Sequence, residues 1–447
     1  MENFLETFNK NLQEGEKAFN KGDHATYLKA LDINGKMLSY LCRHDHAEMA
    51  LSLEIPWYLL VKKIESDDHY FKSFSNHASA MWTLGRKNSL GEPIKGNPNC
   101  ISFILQNSVL LGHTEVMLVI MKQWRKIYPY VRLLCVGLTP SHPNLTNRLK
   151  QIGVQIITPP EDKKQILSRI HWLREVLAEN DVGTSIWVSV PVWISYIYGY
   201  RVTAKQIFWS LKFHPVHMGQ EVIHIGMTKK INGIELIHGK PWNAFQPPLI
   251  VTVSQHQKQD IESIRNKFVG AFIFATLARE EKFNSERFAL TIAKILKRCP
   301  GSVYLFTGKK VSTVFEKILI EQGVAKQAHF IGWVNTDIFS EAIDCFLESF
   351  PFGCGVTGMQ ALSHRTTMIS LWDRDTLPSY YFEKYSDADI FKPVWNVVND
   401  EKKYEDVAVK FFSEWQEKLT INVDHEIDFK ILDKSKFEKF FYLVNES

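Results

Sequence analysis

The chain has 447 residues, of which 45% are hydrophobic and 23% charged, and its formal net charge is +4. This length is too great for one hydrophobic core and long enough for two or three domains. The composition is that of a soluble globular protein, and the small net charge argues against a nucleic-acid partner.

The first segment, residues 2 to about 88, is predicted to be all-helical. Asp23 is a good N-cap residue, and apolar residues follow it at helical spacing, namely Tyr27, Leu28, Leu31 and Leu38. The stretch from Ala18 to His24 is typical of a turn in a tetratricopeptide-like hairpin, but one turn does not establish an array. We expect an N-terminal helical domain over residues 1–90, which begins with a charged amphipathic segment rather than a signal peptide.

Strands and helices alternate from about residue 99, after a boundary rich in Gly, Pro and Asn at residues 89–98. The predicted strands are 100–105, 132–136, 154–157, 185–190 and 205–210, and the predicted helices are 114–128, 146–152 and 164–178. This alternation predicts a parallel sheet covered by helices, forming a first Rossmann-like half over residues 91–248.

A second boundary is predicted at residues 238–249, which are rich in Pro and turn-forming residues. The alternation then restarts, with strands predicted at 271–274, 302–306, 329–331, 345–348 and 367–371 and helices at 286–297, 313–322, 336–342 and from 357. We expect a second Rossmann-like half over residues 249–400 and C-terminal helices over 401–447. Ligands in such sheets bind beyond the carboxyl ends of the strands, here in the cleft between the halves.

Neither a membrane span nor a disulfide framework is expected. The most apolar stretch, residues 185–200, is short and contains Pro191 and three serines, which favours a buried strand followed by a helix. None of the six cysteines lies in a C-x-x-C pair, and most lie in apolar runs. We therefore expect buried thiols in a reducing compartment, the cytoplasm.

A glycine-rich loop follows the apolar strand that ends near Glu348. The loop covers residues 349–355, and a helix is predicted to begin at about Thr357. Glycines let backbone N–H groups approach a ligand, and the first turn of a helix leaves N–H donors unpaired, so this arrangement predicts a phosphate site. The candidate contacts are Phe352, Gly353, Gly355, Val356, Thr357 and Gly358.

The same glycines also match the dinucleotide fingerprint G-x-G-x-x-G, with Asp373 placed 20 residues after Gly353 to bind a ribose. The fingerprint normally follows the first strand of its domain, however, whereas this one follows several strands. The Phe-Pro-Phe sequence before Gly353 also lengthens the turn. Binding of NAD(P) or FAD and a purely structural turn remain alternatives to a phosphate site for another nucleotide.

Charged and imidazole side chains follow other predicted strands. Arg279 and Lys282 come after the first strand of the second half, where either could pair with a diphosphate leaving group. The alternative is a solvated charge cluster, since the local sequence is R-E-E-K. In the first half, His113 and His214 also follow strands and are candidates for a general base or a substrate contact. With 16 histidines in the chain, a role without function is an alternative for both.

No metal site is expected. The sequence has no Walker A motif and no H-x-x-x-H pair. Glu221 and His224 have E-x-x-H spacing, but on a strand their side chains point to opposite faces. The D-x-D runs at residues 373–375 and 387–389 are interpreted as exposed turns rather than as ligands of a metal on a sugar nucleotide.

The segment DCFLESFPFG, which begins at Asp344, and the segment TGMQAL, which begins at Thr357, resemble the sugar-nucleotide loop of family 41 glycosyltransferases. These comprise the O-GlcNAc transferases and the bacterial cytoplasmic N-glycosyltransferases that modify high-molecular-weight adhesins. Residues 295–303 resemble the helix-to-strand segment of the same family, and residues 201–207, with Gln206, resemble the end of its first half. The likeness covers roughly residues 99–385, with gaps.

The resemblance implies a GT-B fold and an inverting transfer from a UDP-sugar without a required metal. It assigns the diphosphate lysine role to Lys282, and the β-phosphate to Thr357 with the backbone of Gly358. It places His113 near the active-site histidine of the first half. Both branches of the family also carry helices before their catalytic halves.

This chain departs from the family at three positions. In the O-GlcNAc branch, a histidine and a threonine stand where this chain has Gly355 and Val356. The acid that binds the ribose is here Gln360, which is uncharged. These changes bear on donor affinity and on the choice of base and sugar.

The resulting hypothesis is an inverting GT-B glycosyltransferase that transfers a hexose or N-acetylhexosamine from a UDP-sugar to a protein side chain. The helical region would help to hold the polypeptide, a step that rests on the family likeness alone. The alternatives are a non-catalytic GT-B partner of a glycosyltransferase and an NAD(P)-dependent oxidoreductase. The sequence leaves homo-oligomerisation open.

Overall fold

The computed structural model describes most of the chain. The described residues are 2–20, 23–61, 68–188, 190–211, 216, 218–219, 221–226, 233–237, 239–245, 257–334, 336–373, 376, 394–417 and 429–446. The chain forms two compact units, Met1–Pro247 with Lys434–Ser447, and Pro248–Asp433. Of the sequence candidates, His214 and the acidic residues at 375, 387 and 389 lie outside the described residues.

The first unit begins with the predicted helices: α1 Glu2–Asn20, α2 His24–Arg43, α3 Ala47–Val61 and α4 Asp68–Lys87. Asp23 caps α2 as expected, since its side chain accepts a hydrogen bond from Thr26 N at 3.1 Å. Tyr27, Leu31 and Leu38 are buried on the inner face of α2. Their helical spacing therefore identified the core-facing side of this helix correctly.

The helices pack directly on the α/β part of the first unit, and one hydrophobic core runs through both. A Cβ on Gly85 of α4 would lie 2.2 Å from the Tyr196 carbonyl oxygen, and a Cβ on Gly199 would lie 2.3 Å from the Trp82 carbonyl oxygen. Only glycine fits at these two positions, because the backbones touch there. The predicted helical domain is thus continuous with the first Rossmann-like half.

Within the described residues, the first sheet has eight strands. Its elements are β1 Asn97–Leu105, α5 Gly112–Ile127, β2 Arg132–Gly137, α6 Pro143–Gln151, β3 Gln155–Ile157, α7 Ile166–Glu179, β4 Val182–Val188, α8 Ile194–Gly199, β5 Lys205–Ser210, β6 Val222–Gly226, β7 Ile234–Ile237 and β8 Lys240–Ala244. The strand order is β3-β2-β1-β4-β5-β6-β8-β7, and only β7 pairs antiparallel. The first six strands have the order of a doubly wound nucleotide-binding sheet, which agrees with the Rossmann-like half expected here.

The stretch predicted as a boundary, residues 238–249, contains strand β8. Pairing with β6 on one side and with β7 on the other outweighs its content of turn-forming residues. Pro241 is tolerated because it lies near the start of this strand, where a missing N–H donor disturbs the ladder least. The break between the two units falls after this strand, at Pro247.

In the part of the second unit that the structure describes, the sheet has six parallel strands in the order β11-β10-β9-β12-β13-β14. Its elements are α9 Gln257–Lys267, β9 Phe272–Thr276, α10 Glu286–Arg298, β10 Ser302–Phe306, α11 Thr313–Glu321, β11 Ala328–Phe330, α12 Thr336–Ala342, β12 Cys345–Leu347, α13 Val356–Ser363, β13 Thr367–Leu371, β14 Trp395–Val398 and α14 Glu401–Gln416. Short 3₁₀ helices occupy Glu280–Phe283 and Ala325–Gln327. This is again the doubly wound order, so both predicted Rossmann-like halves are confirmed.

The last helix, α15 Phe429–Glu446, brings the chain back to the first unit. The Phe440 ring lies 4.6 Å from Trp209 and 4.9 Å from Phe245, measured between ring centroids. The Phe441 ring lies 4.8 Å from Trp124. The predicted C-terminal helices are therefore divided, since α14 belongs to the second unit and most of α15 packs in the first.

The environment of the cysteines agrees with the expectation of buried thiols. All six are buried and unpaired. None of the described helices combines the length and apolar character that a membrane crossing requires.

A candidate phosphate site at the switch point of the second sheet

The glycine loop lies at the point where the strand order of the second sheet reverses. β9 and β12 are neighbours in the sheet, and Cys345 pairs with Phe274. From β9 the chain proceeds to β10 on one side, and from β12 it proceeds to β13 on the other. The loops that follow these two strands therefore open a crevice between them, which is where doubly wound sheets bind nucleotides.

Hydroxyl groups hold the two strand ends together. Thr276 Oγ1 donates to the Leu347 carbonyl oxygen at 2.5 Å, and Thr357 Oγ1 donates to the Leu277 carbonyl oxygen at 2.6 Å. Tyr304, from β10, donates to Thr276 Oγ1 at 2.7 Å. These bonds fix the start of α13 against the end of β9. The Thr357 hydroxyl is thus already engaged in a structural bond, which leaves the Thr357 backbone N–H as its group for an anion.

Each of the first two glycines of the loop, Gly353 and Gly355, is required for a different physical reason. Gly355, the N-cap of α13, has φ 55° and ψ −118°, a conformation that L-residues rarely adopt, and nothing lies within 4 Å of where its Cβ would be. Gly353 is excluded from carrying a side chain by contact instead, since its Cβ would lie 2.4 Å from Glu348 Oε1. The first position therefore requires a close approach and the second requires a special backbone conformation.

The start of α13 supplies backbone donors to this open space. The first N–H bonded along the helix is that of Met359, to the Gly355 carbonyl oxygen at 3.2 Å. The N–H groups of Val356, Thr357 and Gly358 precede it and have no carbonyl partner within the helix. Together with the helix dipole, they form the arrangement that binds phosphate at helix N-termini.

Lys282 reaches the same loop from the end of β9. It lies in the 3₁₀ helix Glu280–Phe283, is half-buried, and donates from Nζ to the Gly353 carbonyl oxygen. Arg279 is exposed just before it, and its carbonyl oxygen accepts from Lys282 N at 3.0 Å. The ammonium group of Lys282, one of the two predicted cations, therefore contacts the glycine loop.

Two features at the carboxyl ends of these strands were not predicted from the sequence. The first is Glu348, a buried carboxyl whose Oε1 accepts from Cys354 N at 3.0 Å. The second is the loop after β10, where Lys309 N donates to Glu280 Oε2 at 3.1 Å and lowers the pKa of that carboxyl. The sequence signals for them were Glu348, a charged residue directly after β12, and Gly308, a glycine two residues after the end of β10.

The remaining candidates of the second unit occupy different environments. Asp373 is ion-paired with Arg287, which also binds Glu401 and lies 5.4 Å over the Phe350 ring. The hydrogen bonds that Arg287 donates to Glu401 and Asp373 raise the pKa of its guanidinium group. Arg287 therefore links Asp373 to Glu401 in the first turn of α14. Phe352 is 45% exposed at the tip of the loop, whereas Gln360 is buried on α13.

In the first unit, His113 lies in the first turn of α5, directly after the loop that follows β1. It is half-buried, and β1 and β4 are adjacent at the switch point of that sheet. The neighbouring Glu115 receives a bidentate pair of bonds from Arg148, at 3.2 and 2.9 Å. Burial raises the pKa of Glu115, and Arg148 opposes this shift.

Within the described ranges, no group of three or more His, Cys, Asp or Glu side chains is placed to hold a metal ion. His224 of the E-x-x-H spacing is buried on β6, where its Nε2 accepts from Met218 N at 2.9 Å. This imidazole therefore has a structural role.

No protein-family model matches the sequence, and no curated protein matches it. Among solved structures, a mutant of the Thermobaculum terrenum O-GlcNAc transferase is similar at 12% identity and a TM-score of 0.50, over 99% of this chain and 98% of that chain. Anabaena HepE in complex with UDP has 12% identity, a TM-score of 0.49 and coverage of 77% and 97%. Staphylococcus aureus MnaA with UDP has 10% identity, a TM-score of 0.49 and coverage of 78% and 98%.

At these identities a structural likeness shows the fold and not the activity. The likeness to the Thermobaculum protein spans both units of this chain. In this chain, that span includes the two doubly wound sheets, the helices before them and the helical C-terminal segment. The chain therefore has an α/β fold of the GT-B type.

Proposed function

We propose that this protein is an inverting glycosyltransferase that transfers a hexose or N-acetylhexosamine from a UDP-sugar to a protein side chain. One observation carries the proposal: the start of α13, the open turn at Gly355 and the Lys282 ammonium group converge at the switch point of the second sheet. Such a set of donors suits a diphosphate. The likeness of the fold to an O-GlcNAc transferase supports the resemblance to family 41.

In the proposed reaction the acceptor attacks the anomeric carbon from the face opposite the diphosphate. The bond from that carbon to the β-phosphate oxygen breaks, and its electron pair leaves with UDP. Negative charge grows on the leaving oxygen, where Lys282 and the N–H groups of Thr357 and Gly358 would stabilise it. These donors would take the part that a metal plays in other transferases, so no metal is required.

The other assigned contacts are proposals drawn from the resemblance. Gly353, Gly355 and Val356 would line the phosphates with their backbone, and Phe352 and Arg279 would border them. Of the candidates with weaker support, Gln360 is buried and Asp373 is ion-paired with Arg287. His214 lies outside the described residues.

We propose His113 as the general base or acceptor contact of the first half. Its place in the first turn of α5, at the switch point of the first sheet, supports this role. In a transfer assay, His113→Asn should lower kcat while the affinity for UDP stays unchanged. A variant with normal kcat would remove His113 from the mechanism.

The topology weighs against a nicotinamide-dependent oxidoreductase. The glycine loop follows β12, the fourth strand of its sheet, whereas the dinucleotide fingerprint normally follows the first. The acid expected to bind the ribose, Asp373, is already ion-paired with Arg287. An NAD(P)H titration that detects binding would favour this alternative.

The helical region offers a surface for a polypeptide acceptor. A groove of about 680 Å³ runs between α2 and α4, and charged and polar side chains of both helices contribute to its lining. Of its charged residues, Asp45 pairs with Lys87, and Asp32 accepts from Ser73 at 3.1 Å. Lys36 and Arg43 form no ion pair with a residue that the structure describes, so the groove suits an acidic extended segment.

Charge reversal in this groove tests the acceptor proposal. Lys36→Glu with Arg43→Glu should raise the KM for an acidic acceptor polypeptide about tenfold or more, because two attractive charges become repulsive. The UDP affinity should not change. Lys29→Glu, on an exposed lysine of the same helix outside the groove, is the matched control. An equal KM in all three proteins would place the acceptor elsewhere.

The decisive test of the function combines binding and transfer. Calorimetry should detect UDP binding, and incubation with UDP-sugars and lysate proteins should add a hexose or N-acetylhexosamine mass to an acceptor. A protein that binds no UDP would instead be a non-catalytic relative. The unpaired thiols of all six cysteines agree with the proposed cytoplasmic setting for this reaction.

A further inference from the structure

Glu348 is a buried carboxyl group directly beneath the glycine loop. It follows β12 and is only 3% exposed. Its backbone is held on two sides, since its N–H donates to the Ile369 carbonyl oxygen at 3.0 Å and its carbonyl oxygen accepts from Tyr404 at 3.0 Å. Burying a carboxyl group costs free energy unless its oxygens accept hydrogen bonds, so the residues that bond the Glu348 side chain indicate its role.

Those partners belong to the phosphate loop and to the strand beside it. Oε1 accepts from Cys354 N at 3.0 Å, and the Ser370 hydroxyl of β13 also bonds the carboxyl group. The same Oε1 occupies the space next to Gly353, where a Cβ would lie 2.4 Å away. One oxygen atom thus both anchors the peptide between Gly353 and Cys354 and determines that position 353 is a glycine.

The anchored peptide, between Gly353 and Cys354, adjoins both groups that would bind phosphate. On its N-terminal side, the Gly353 carbonyl oxygen receives the Lys282 ammonium group. On its C-terminal side, Cys354 leads into Gly355 and the first N–H groups of α13. A shift of this peptide would therefore displace both the cation and the backbone donors of the candidate site.

We propose that Glu348 is the positioning residue of the phosphate site, which holds the loop in the shape that binds a nucleoside diphosphate. This role rests on the proposed function. Glu348 acts through the loop and does not itself touch the ligand. It differs in this from Lys282 and the α13 N–H groups, which would contact the diphosphate.

The test is a double-mutant cycle on UDP affinity, measured by calorimetry. Glu348→Ala should weaken binding about tenfold or more, because the Cys354 N–H loses its buried acceptor. Gly353→Ala should weaken it by a similar factor, because its Cβ collides with the carboxylate. In the Glu348→Ala background, Gly353→Ala should add less than about threefold, since the colliding oxygen is gone.

Glu348→Gln tests whether Glu348 acts on the loop through its hydrogen bond or through its negative charge. The amide oxygen can still accept from Cys354 N, so UDP affinity should stay within about threefold of the wild type. Hydrogen exchange at the Cys354 amide should be slow in the wild type and in Glu348→Gln, and fast in Glu348→Ala. Glu405→Gln is the matched control, since Glu405 is a buried carboxyl of the same unit that pairs with Lys294 and Arg298 instead of the loop.

The outcomes separate this role from the function on which it rests. A wild-type protein that binds no UDP overturns the proposed function and this role with it. A wild-type protein that binds UDP while Glu348→Ala binds equally well overturns the role alone, as do fully additive effects of the two substitutions. If Glu348→Ala does not fold, Gly353→Ala and Glu348→Gln still test the proposal. A Glu348→Gln variant that binds UDP weakly, or a Gly353→Ala variant that binds UDP as well as the wild type, contradicts it.

Discussion

Lys282 and Gly353 lie 71 residues apart in the chain, yet the lysine side chain donates to the glycine carbonyl oxygen. Each residue stands after a buried strand, and the strands β9 and β12 are neighbours. At the scale of single residues, the candidate site is therefore a product of strand adjacency. A lysine in an R-E-E-K cluster becomes a candidate ligand of phosphate because of the loop that it reaches.

Replacement of this lysine is the most direct test at the residue scale. Lys282→Ala should lower kcat/KM for transfer by about 100-fold or more, because the charge on the leaving diphosphate loses its cation. The protein should remain folded, since the side chain is only half-buried and its ammonium group bonds a carbonyl oxygen of a loop.

Lys326→Ala is the control, because Lys326 is an exposed lysine at the opposite edge of the same sheet, just before β11. Its activity should match that of the wild type. If Lys282→Ala retains full turnover, the role assigned to this lysine is wrong.

Glu348 predicts a pH dependence of stability. Burial raises the pKa of its carboxyl group above 4.5, the ordinary value, and the bonds from Ser370 and Cys354 oppose this shift. The folded state therefore holds the proton more tightly than the unfolded state does. Stability from this group is fully present below pH 4.5 and is lost as the pH rises through the folded-state pKa.

The comparison that isolates this effect is with Glu348→Gln, which cannot titrate. The difference in unfolding free energy, wild type minus variant, should fall as the pH rises from about 4.5 towards neutrality. Urea denaturation at several pH values measures it. A difference that stays constant or grows with pH would show that the carboxyl group is not destabilised by burial.

At the scale of elements, the sequence predicted most strands and helices of the second half in their correct order. Strand β10 and helices α10 and α13 begin within about one residue of their predicted starts, because apolar periodicity and capping residues are local signals. Ser285 and Ser312, for example, cap α10 and α11 through their side chains. In this half, helix α9 and strand β14 were not predicted. In the first half, strands β7 and β8 were not predicted, since a short hairpin rich in turn-forming residues depends on its neighbours for pairing.

The turn into α13 provides a prediction at this scale. Gly355→Ala should strain the backbone by about 1–3 kcal/mol and weaken UDP binding, because φ is 55° at the point where the first N–H donors are aimed. Gly323→Ala is matched to it, with φ 74° and nothing within 4 Å of the added Cβ.

Both variants should lower the melting temperature, and only the first should lower UDP affinity by calorimetry. Equal affinities in Gly355→Ala and the wild type would remove the start of α13 from the ligand site.

At the scale of the whole molecule, the path of the chain is the main finding that the sequence did not predict. The C-terminal helices were expected to form one segment, but α14 packs in the second unit and most of α15 packs in the first. The aromatic residues of α15 pack against Trp124 of α5, Trp209 of β5 and Phe245, which follows β8. The first unit is therefore completed by the end of the chain.

This path predicts that the end of the chain stabilises the first unit. Phe440→Ala should destabilise it by about 3–5 kcal/mol, because a fully buried ring is removed from an aromatic cluster. Tyr442→Ala, two residues later and 60% exposed, should change stability little. Chemical denaturation followed by tryptophan fluorescence would report both, and equal stabilities would contradict the contribution of α15 to this core.

The sequence by itself determined the order and type of most elements, and hence an α/β protein with two Rossmann-like halves, because hydrophobic periodicity and glycine or proline punctuation act over a few residues. Only the tertiary structure decided which strands are neighbours. That choice placed Lys282 beside Gly353, put Glu348 beneath the loop and paired Asp373 with Arg287. Contacts between distant residues depend on sheet order and packing, which no local pattern encodes.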